Sequence, residues 1–260
     1  MLGKLIKYEL KSTARTLIPL YIALLMLALI NKLFMGINNN ANSELLGGIP
    51  VMITIFAYGC TMVAIFIITF FVIVQRFYKN LLGDEGYLMN TLPVPTWMNI
   101  LSKLGTSIIW IIVSGIVAVL SIIIMAFSKG MFTDLFANFA EFTGYLPQEY
   151  YGFVLELILY AFVLMISSIL ILYLSISIGH LFNKNRILAS FGSFIVLNMI
   201  IGTIKTVIQA IMFIANDPSL MDNGSNFMGT IHILLVCEIL FGIVFFIACN
   251  YIIKNKLNLE

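Results

Sequence analysis

The chain has 260 residues, of which 61% are hydrophobic and only 10% are charged. A soluble domain carries about a quarter charged residues and just under half apolar ones. The composition therefore excludes a soluble globular enzyme and a disordered segment, and three cysteines are too few for a disulfide-stapled secreted module. What remains is a protein surrounded mainly by lipid, in which the placement of charges matters more than the net charge of +2.

Six apolar stretches are long enough to cross a bilayer, which takes about 20 residues of helix. None alternates polar and apolar residues with a period of two, so a β-barrel is not expected, and helices then have to satisfy the backbone in hydrocarbon. The predicted fold class is an all-α membrane protein with six transmembrane helices. The predicted spans are Leu17–Ile37, Ile49–Val74, Leu104–Phe127, Gly152–Gly179, Ile187–Ile214 and Thr230–Ile253.

Lysine and arginine predict the orientation of these spans. Because six spans place both termini on one side, the loops divide into two sets, and most of the 14 basic residues fall on the side of the termini. Basic residues favour the cytoplasmic side of a membrane, so both termini are expected to be cytoplasmic. The basic residues on that side are Lys4, Lys7, Lys11, Arg15, Arg76, Lys79, Lys103, Lys184, Arg186, Lys254 and Lys256.

The first 16 residues have the pattern of an amphipathic helix. Leu2, Leu5, Ile6, Leu10 and Ala14 share one helical face, and the basic residues occupy the other. We expect an interfacial helix over 1–16 that precedes a single transmembrane domain over 17–260. It is either a topology anchor or a lever that contacts a cytoplasmic partner. The residues of its basic face are Lys4, Lys7, Lys11 and Arg15.

The one sizeable cytoplasmic loop covers residues 75–103. Asp84 suits an N-cap and Glu85 a first helical turn, so a short helix is predicted over Glu85–Thr91. Prolines end it, and Thr96 caps the next helix. Exposed apolar residues on a loop usually need a partner, although they also pack against a protein's own helix ends. The apolar side chains offered by this helix are Tyr87, Leu88, Met89 and Leu92.

The opposite side carries one long loop, 128–151. Phe132, Phe136 and Phe139 follow helical spacing there, which predicts an amphipathic helix in the outer interface. Such a helix is either an aromatic belt or a lid over an exit site.

The fifth span is irregular. Residues 187–204 already suffice to cross the membrane at about 1.5 Å per residue, so Lys205 is expected at an interfacial corner. The apolar residues that follow are too few to return across the membrane. We therefore expect residues 206–229 to form a re-entrant outer hairpin.

Motifs for chemistry are absent from the sequence. There is no nucleophile elbow, no zinc-binding H-E-x-x-H, no C-x-x-C and no phosphate-binding loop. His180 and His232 fall at opposite ends of different spans and are not expected to share a metal. We expect no catalytic residue, metal or cofactor in this chain, so any ATP-driven function needs a separate subunit.

Charged residues inside spans are the default functional candidates in a membrane protein. Lys32 and Glu156 are close enough to the outer ends of their spans to reach the interface. Glu238 is the deepest, about 12 Å from the outer end of its span, and is expected to pair with Lys205 as a structural ion pair or a cargo contact. The candidate intramembrane or outer-gate charges are Glu156, Lys205 and Glu238.

Together these features resemble the membrane subunit of type-2 ATP-binding-cassette exporters. The resemblance covers essentially the whole chain and is most specific over Glu85–Lys103, where Leu92-Pro93-Val94-Pro95 matches a leucine-proline turn and Lys103 a lysine that opens span three. The resemblance implies that residues 1–16 are the connecting helix and that 206–229 gate the exit. It also implies a coupling helix that docks in the ATPase, with the residues Asp84, Glu85, Tyr87, Leu88, Met89, Leu92 and Pro93.

The resemblance implies partners and cofactors as well. Two permease copies, in a homo- or heterodimer, pair around a central path, and the cassette ATPase subunits hold ATP and magnesium. The compact length is similar to that of Gram-positive permeases that export peptides, such as bacteriocin self-immunity and phenol-soluble-modulin exporters. The expected protein lies in the cytoplasmic membrane of a bacterium and exports an amphipathic peptide or a lipid-like cargo, without a nucleic-acid partner.

Two other functions stay open at this point. An ATP-independent secondary transporter would rely on Glu156, Lys205 and Glu238 and would be driven by an ion gradient. A non-transporting immunity or assembly partner would bind its client in the membrane and move nothing.

Overall fold

The computed structural model describes residues 2–40, 44–79, 94–126, 131–145, 149–182, 185–215 and 223–256. The described residues form seven α-helices, and six of these are long and apolar enough to cross a membrane. This confirms the predicted all-helical class with six candidate spans. The helices are α1 (Leu2–Asn40), α2 (Glu44–Phe77), α3 (Thr96–Ala126), α4 (Met131–Tyr145), α5 (Glu149–Gly179), α6 (Arg186–Ala215) and α7 (Asn223–Asn255).

Helix α1 continues through residue 16, where a boundary was expected. A buried stripe runs along it at spacings of three or four residues, from Glu9 and Thr13 to Leu17 and Tyr21, so one face packs along the whole helix. Residues 2–16 are therefore the beginning of the first long helix rather than a separate one. The basic side chains of these turns are exposed, as the amphipathic pattern predicted, and they are Lys4, Lys7, Lys11 and Arg15.

Helix α6 also continues where the sequence predicted an end. Residues 206–215 extend it to Ala215, and 223–229 are the first turns of α7, so the described parts of 206–229 belong to these two helices. The expectation that Lys205 occupies a corner is wrong, because no helix-breaking residue follows it and the apolar residues after it continue the helix. The remaining residues, 216–222, lie outside the described ranges.

The predicted cytoplasmic loop is described at its two ends. Helix α2 ends at Phe77, and α3 begins at Thr96, where the amide of Met98 donates a hydrogen bond of 2.9 Å to the carbonyl of Pro95. Lys103, expected near the membrane boundary, is only 2% exposed. The proposed coupling residues lie outside the described residues, and they are Asp84, Glu85, Tyr87, Leu88, Met89, Leu92 and Pro93.

The chain divides into two compact units. The first comprises Met1–Gln75 and Gly105–Phe142, and the second comprises Arg76–Leu104 and Thr143–Glu260. A ladder of hydroxyl groups crosses the core of the first unit, because polar groups buried in such apolar surroundings need partners. Its hydrogen bonds join Tyr21 to Ser114 at 2.8 Å, Thr69 to Ser114 at 3.1 Å, and Tyr58 to Ser121 at 2.7 Å.

In the second unit α5 packs against both α6 and α7. Three polar contacts join α5 to α7, and their partners are separated by nearly the same number of residues: 76, 71 and 72. A constant separation means that α5 and α7 run parallel, which leaves α6 to return between them along the chain. The contacts pair Glu156 with His232, Ser167 with Glu238, and Ser177 with Cys249.

The return of the chain from α5 to α6 depends on Gly179. A Cβ atom on this residue would lie 2.5 Å from the backbone nitrogen of Ser190 and 2.6 Å from its Cα. The obstacle is backbone, which gives way less easily than the end of a side chain. Gly179 is therefore what lets the first turn of α6 approach the last turn of α5.

We expect Gly179→Ala to lower stability by about 1–3 kcal/mol, the usual range for overpacking. Thermal unfolding in detergent, followed by size-exclusion chromatography, measures the effect as a lower Tm. Gly192→Ala is the matched control, because a Cβ there meets nothing within 4 Å. Equal Tm values for the two variants would contradict this close packing of α5 and α6.

Candidate functional site: a buried carboxylate beside an apolar cavity

Glu238 lies well inside the last candidate span, Gly229–Asn255, about 13 Å from its N-terminal end at 1.5 Å per residue. Its side chain is 5% exposed. The hydroxyl of Ser167 on α5 donates a hydrogen bond to Oε1, and Lys205 Nζ on α6 lies 2.7 Å from Oε2. One carboxylate on α7 therefore joins all three helices, and the predicted pair of Glu238 with Lys205 is confirmed.

The two partners hold Glu238 in different ways. Ser167 makes a hydrogen bond, whereas Lys205 approaches Oε2 without hydrogen-bond alignment, so that contact is mainly electrostatic. The side chain of Lys205 is also 25% exposed, five times the exposed fraction of Glu238. The ammonium is thus the more easily released member of the pair, while the carboxylate is fixed.

Glu238 and Ser167 also line a cavity in the second unit. Its volume is about 400 Å³, within the range of pockets that bind small molecules. The rest of its lining is apolar and comes from the first turns of α3 and from α5 and α7. The lining includes Trp97, Leu101 and Leu104 from α3, Leu170 from α5, and Gly242 and Phe246 from α7.

A second carboxylate joins α5 to α7 in a more open place. Glu156 Oε1 lies 2.7 Å from His232 Nδ1, and the side chains are 23% and 72% exposed. Glu156 is separated from Ser167 by about 16 Å along α5, so the structure does not bring the three predicted charges into one cluster. The partner His232 was missed, although the parallel spacing of α5 and α7 relates the two residues.

A groove of about 710 Å³ lies where α5 gives way to α6. The imidazole of His180 packs on the ring of Tyr78 with centroids 4.9 Å apart. Burial, together with the positive charge of Arg186, lowers the pKa of His180 below 6.5, so its ring is neutral at pH 7. Asn185 begins α6 with a φ of 60°, a conformation that asparagine tolerates. The groove is lined by Tyr78, Asn185, Arg186, Ile187, Leu188 and Phe191.

The chemistry of the Glu238 site is that of binding. Among the described residues no three His, Cys, Asp or Glu side chains are grouped to hold a metal ion. Ser167 gives its proton to a carboxylate that already faces an ammonium, so this serine has no base to activate it. A fixed carboxylate at the edge of an apolar cavity is suited to a ligand with an apolar body and a cationic group.

Comparisons with known proteins leave this site without a precedent. No family model, no curated protein and no solved structure matches the chain.

Proposed function

We propose that this chain is the permease subunit of an ATP-driven exporter in a bacterial cytoplasmic membrane. Its six candidate spans are those of a multi-pass membrane protein, and the distribution of basic residues favours cytoplasmic termini. In this proposal the chain pairs with a separate ATPase subunit, which holds ATP and magnesium, and with a second permease copy. The assembly exports an amphipathic cargo, most simply a peptide.

The observation that supports the proposal best is the position of the first turns of α3. They follow directly after residues 80–93, the segment proposed to dock on the ATPase, and they contribute Trp97, Leu101 and Leu104 to the cavity wall. Rigid helices carry a displacement from one end to the other. A force on the loop would therefore reach the cavity beside Glu238 through a single helix.

The cavity also favours the class of cargo. Inorganic ions need several polar ligands to replace their water, whereas this cavity offers one carboxylate and one hydroxyl in an apolar wall. An amphipathic molecule needs few polar contacts and gains from burying its apolar part. The lining thus supports amphipathic rather than ionic cargo.

A second candidate function is ATP-independent secondary transport. The two pairs of titratable residues, Glu238 with Lys205 and Glu156 with His232, favour it, because paired charges within membrane spans often belong to ion or proton pathways. Against it, Glu156 lies about 16 Å along α5 from the Glu238 contact, so the two pairs form no continuous chain. Flux driven by an ion gradient, without any ATPase, would identify this function.

Affinity purification of the tagged chain from its native membrane tests the proposal. In a mild detergent, we expect a cytosolic ATPase to co-purify at about one copy per permease and to hydrolyse ATP. An unrelated six-span protein with the same tag is the control. A chain that purifies alone and hydrolyses nothing, from cells that express it at native levels, would contradict the proposed role.

A further inference from the structure

We propose that the cavity beside Glu238 binds a chain-like amphiphile that carries a protonated amine, and that the amine replaces Lys205 at the carboxylate. This inference deepens the proposed function, on which its transport aspect rests, because it names the cargo class as a cationic amphiphile. The binding site itself is argued from the second unit alone.

Charge complementarity indicates the occupant. Glu238 lines the cavity but Lys205 does not, so an ammonium inside the cavity reaches the carboxylate from the side opposite to the lysine. A buried carboxylate is stable only with a cation beside it. An anionic head group would be repelled, and a neutral one would leave the carboxylate dependent on Lys205.

The geometry allows the exchange of one ammonium for the other. Lys205 is a quarter exposed, and its contact with Oε2 lacks hydrogen-bond alignment. A lysine side chain is long enough to turn its ammonium toward a surface while its stem stays packed. Glu238 stays in place through Ser167, and the site holds one carboxylate and one ammonium both before and after the exchange.

The size of the cavity limits the apolar part of the ligand. At about 30 Å³ for each water-sized group, 400 Å³ accommodates roughly a dozen methylene groups. Gly242 keeps this space open, because even a Cβ there would already touch Leu170 and Ser167 at 4.0 Å. Decylammonium is therefore a suitable probe, with decanoate and decanol as probes of the same length and different head groups.

Equilibrium binding to the purified full chain in lipid nanodiscs tests the site. Radiolabelled decylammonium should bind saturably above the level in empty nanodiscs, and decanoate and decanol should not compete. Glu238→Gln and Gly242→Leu should each weaken binding at least about tenfold, as expected for a lost charge-assisted contact and a filled cavity. The matched control Glu156→Gln should change the affinity by less than about twofold.

The charge exchange Lys205→Glu with Glu238→Lys keeps the ion pair and places an ammonium at the cavity. The proposal predicts reversed selectivity, with decanoate bound and decylammonium rejected. This variant also guards against misfolding of Glu238→Gln, which leaves Lys205 without its carboxylate. Equal binding of all three probes by the natural chain, as for a lipid tail, would overturn the proposal, and so would unchanged selectivity of the exchanged variant.

The binding result separates this inference from the proposed function. Charge-selective binding by a chain that captures no ATPase would leave the site standing and remove the exporter. An ATPase complex whose permease binds no amine would leave the exporter standing and remove the site.

Discussion

Removal of one partner from the Glu238–Lys205 pair will destabilise the protein far more than removal of both. Glu238→Leu leaves an ammonium, and Lys205→Met leaves a carboxylate, without its counter-charge among apolar helices. Breaking a fully buried pair costs about 3–5 kcal/mol, and we expect about 2–4 kcal/mol here because Lys205 keeps a quarter of its surface. The double variant should return to within about 1 kcal/mol of the natural chain, since apolar replacements of both ions are often neutral.

Tryptophan fluorescence during thermal unfolding measures these differences, because Trp97 lines the cavity next to Glu238. Glu156→Gln is the control, and it should cost less than about 1 kcal/mol because its partner His232 is mostly exposed. If the losses of the two single variants simply added in the double variant, the pair would not be coupled.

The spans were predictable from the sequence because their physical requirement is one of length and hydropathy. The pairing of Glu238 with Lys205 was also predictable, since the rise of a helix places both residues at comparable depth. Depth does not say which way a side chain faces. In helices that are apolar on every side, the periodic pattern that marks a buried face is weak, so Ser167 and the burial of Lys103 were missed.

The ends of helices were less predictable for a related reason. The change from basic to apolar sequence near residue 16 looks like a boundary, but the buried stripe through Thr13 and Leu17 belongs to both parts of α1. Similarly, the minimum length for crossing a membrane suggested an end at Lys205, whereas α6 runs to Ala215. A minimum length limits how short a span is, not how long.

Tyr87→Asp combined with Leu88→Asp should abolish communication with the ATPase. A carboxylate placed in an apolar docking groove loses its hydration without a partner, so we expect cargo-stimulated ATP hydrolysis to fall at least tenfold. Gel filtration should show an intact permease, because the substitutions lie in the loop and not in the six spans. Hydrolysis is measured on the co-purified complex in nanodiscs.

A matched control lies in α4, on the opposite side in the expected topology. Phe136 is 71% exposed, and Phe136→Asp should leave both the complex and its hydrolysis rate unchanged. Equal loss of activity in the two variants would point to general damage, and undiminished activity of the loop variant would place the ATPase contact elsewhere.

The account depends on one claim, that hydrolysis by a partner drives cargo through a permease that has no energy source of its own. Transport into inside-out vesicles that contain the purified complex tests this claim most directly. With no ion gradient, we predict accumulation of an amphipathic cationic peptide that requires hydrolysable ATP and the ATPase subunit. Accumulation by the permease alone under an ion gradient, unaffected by ATP, would contradict the account.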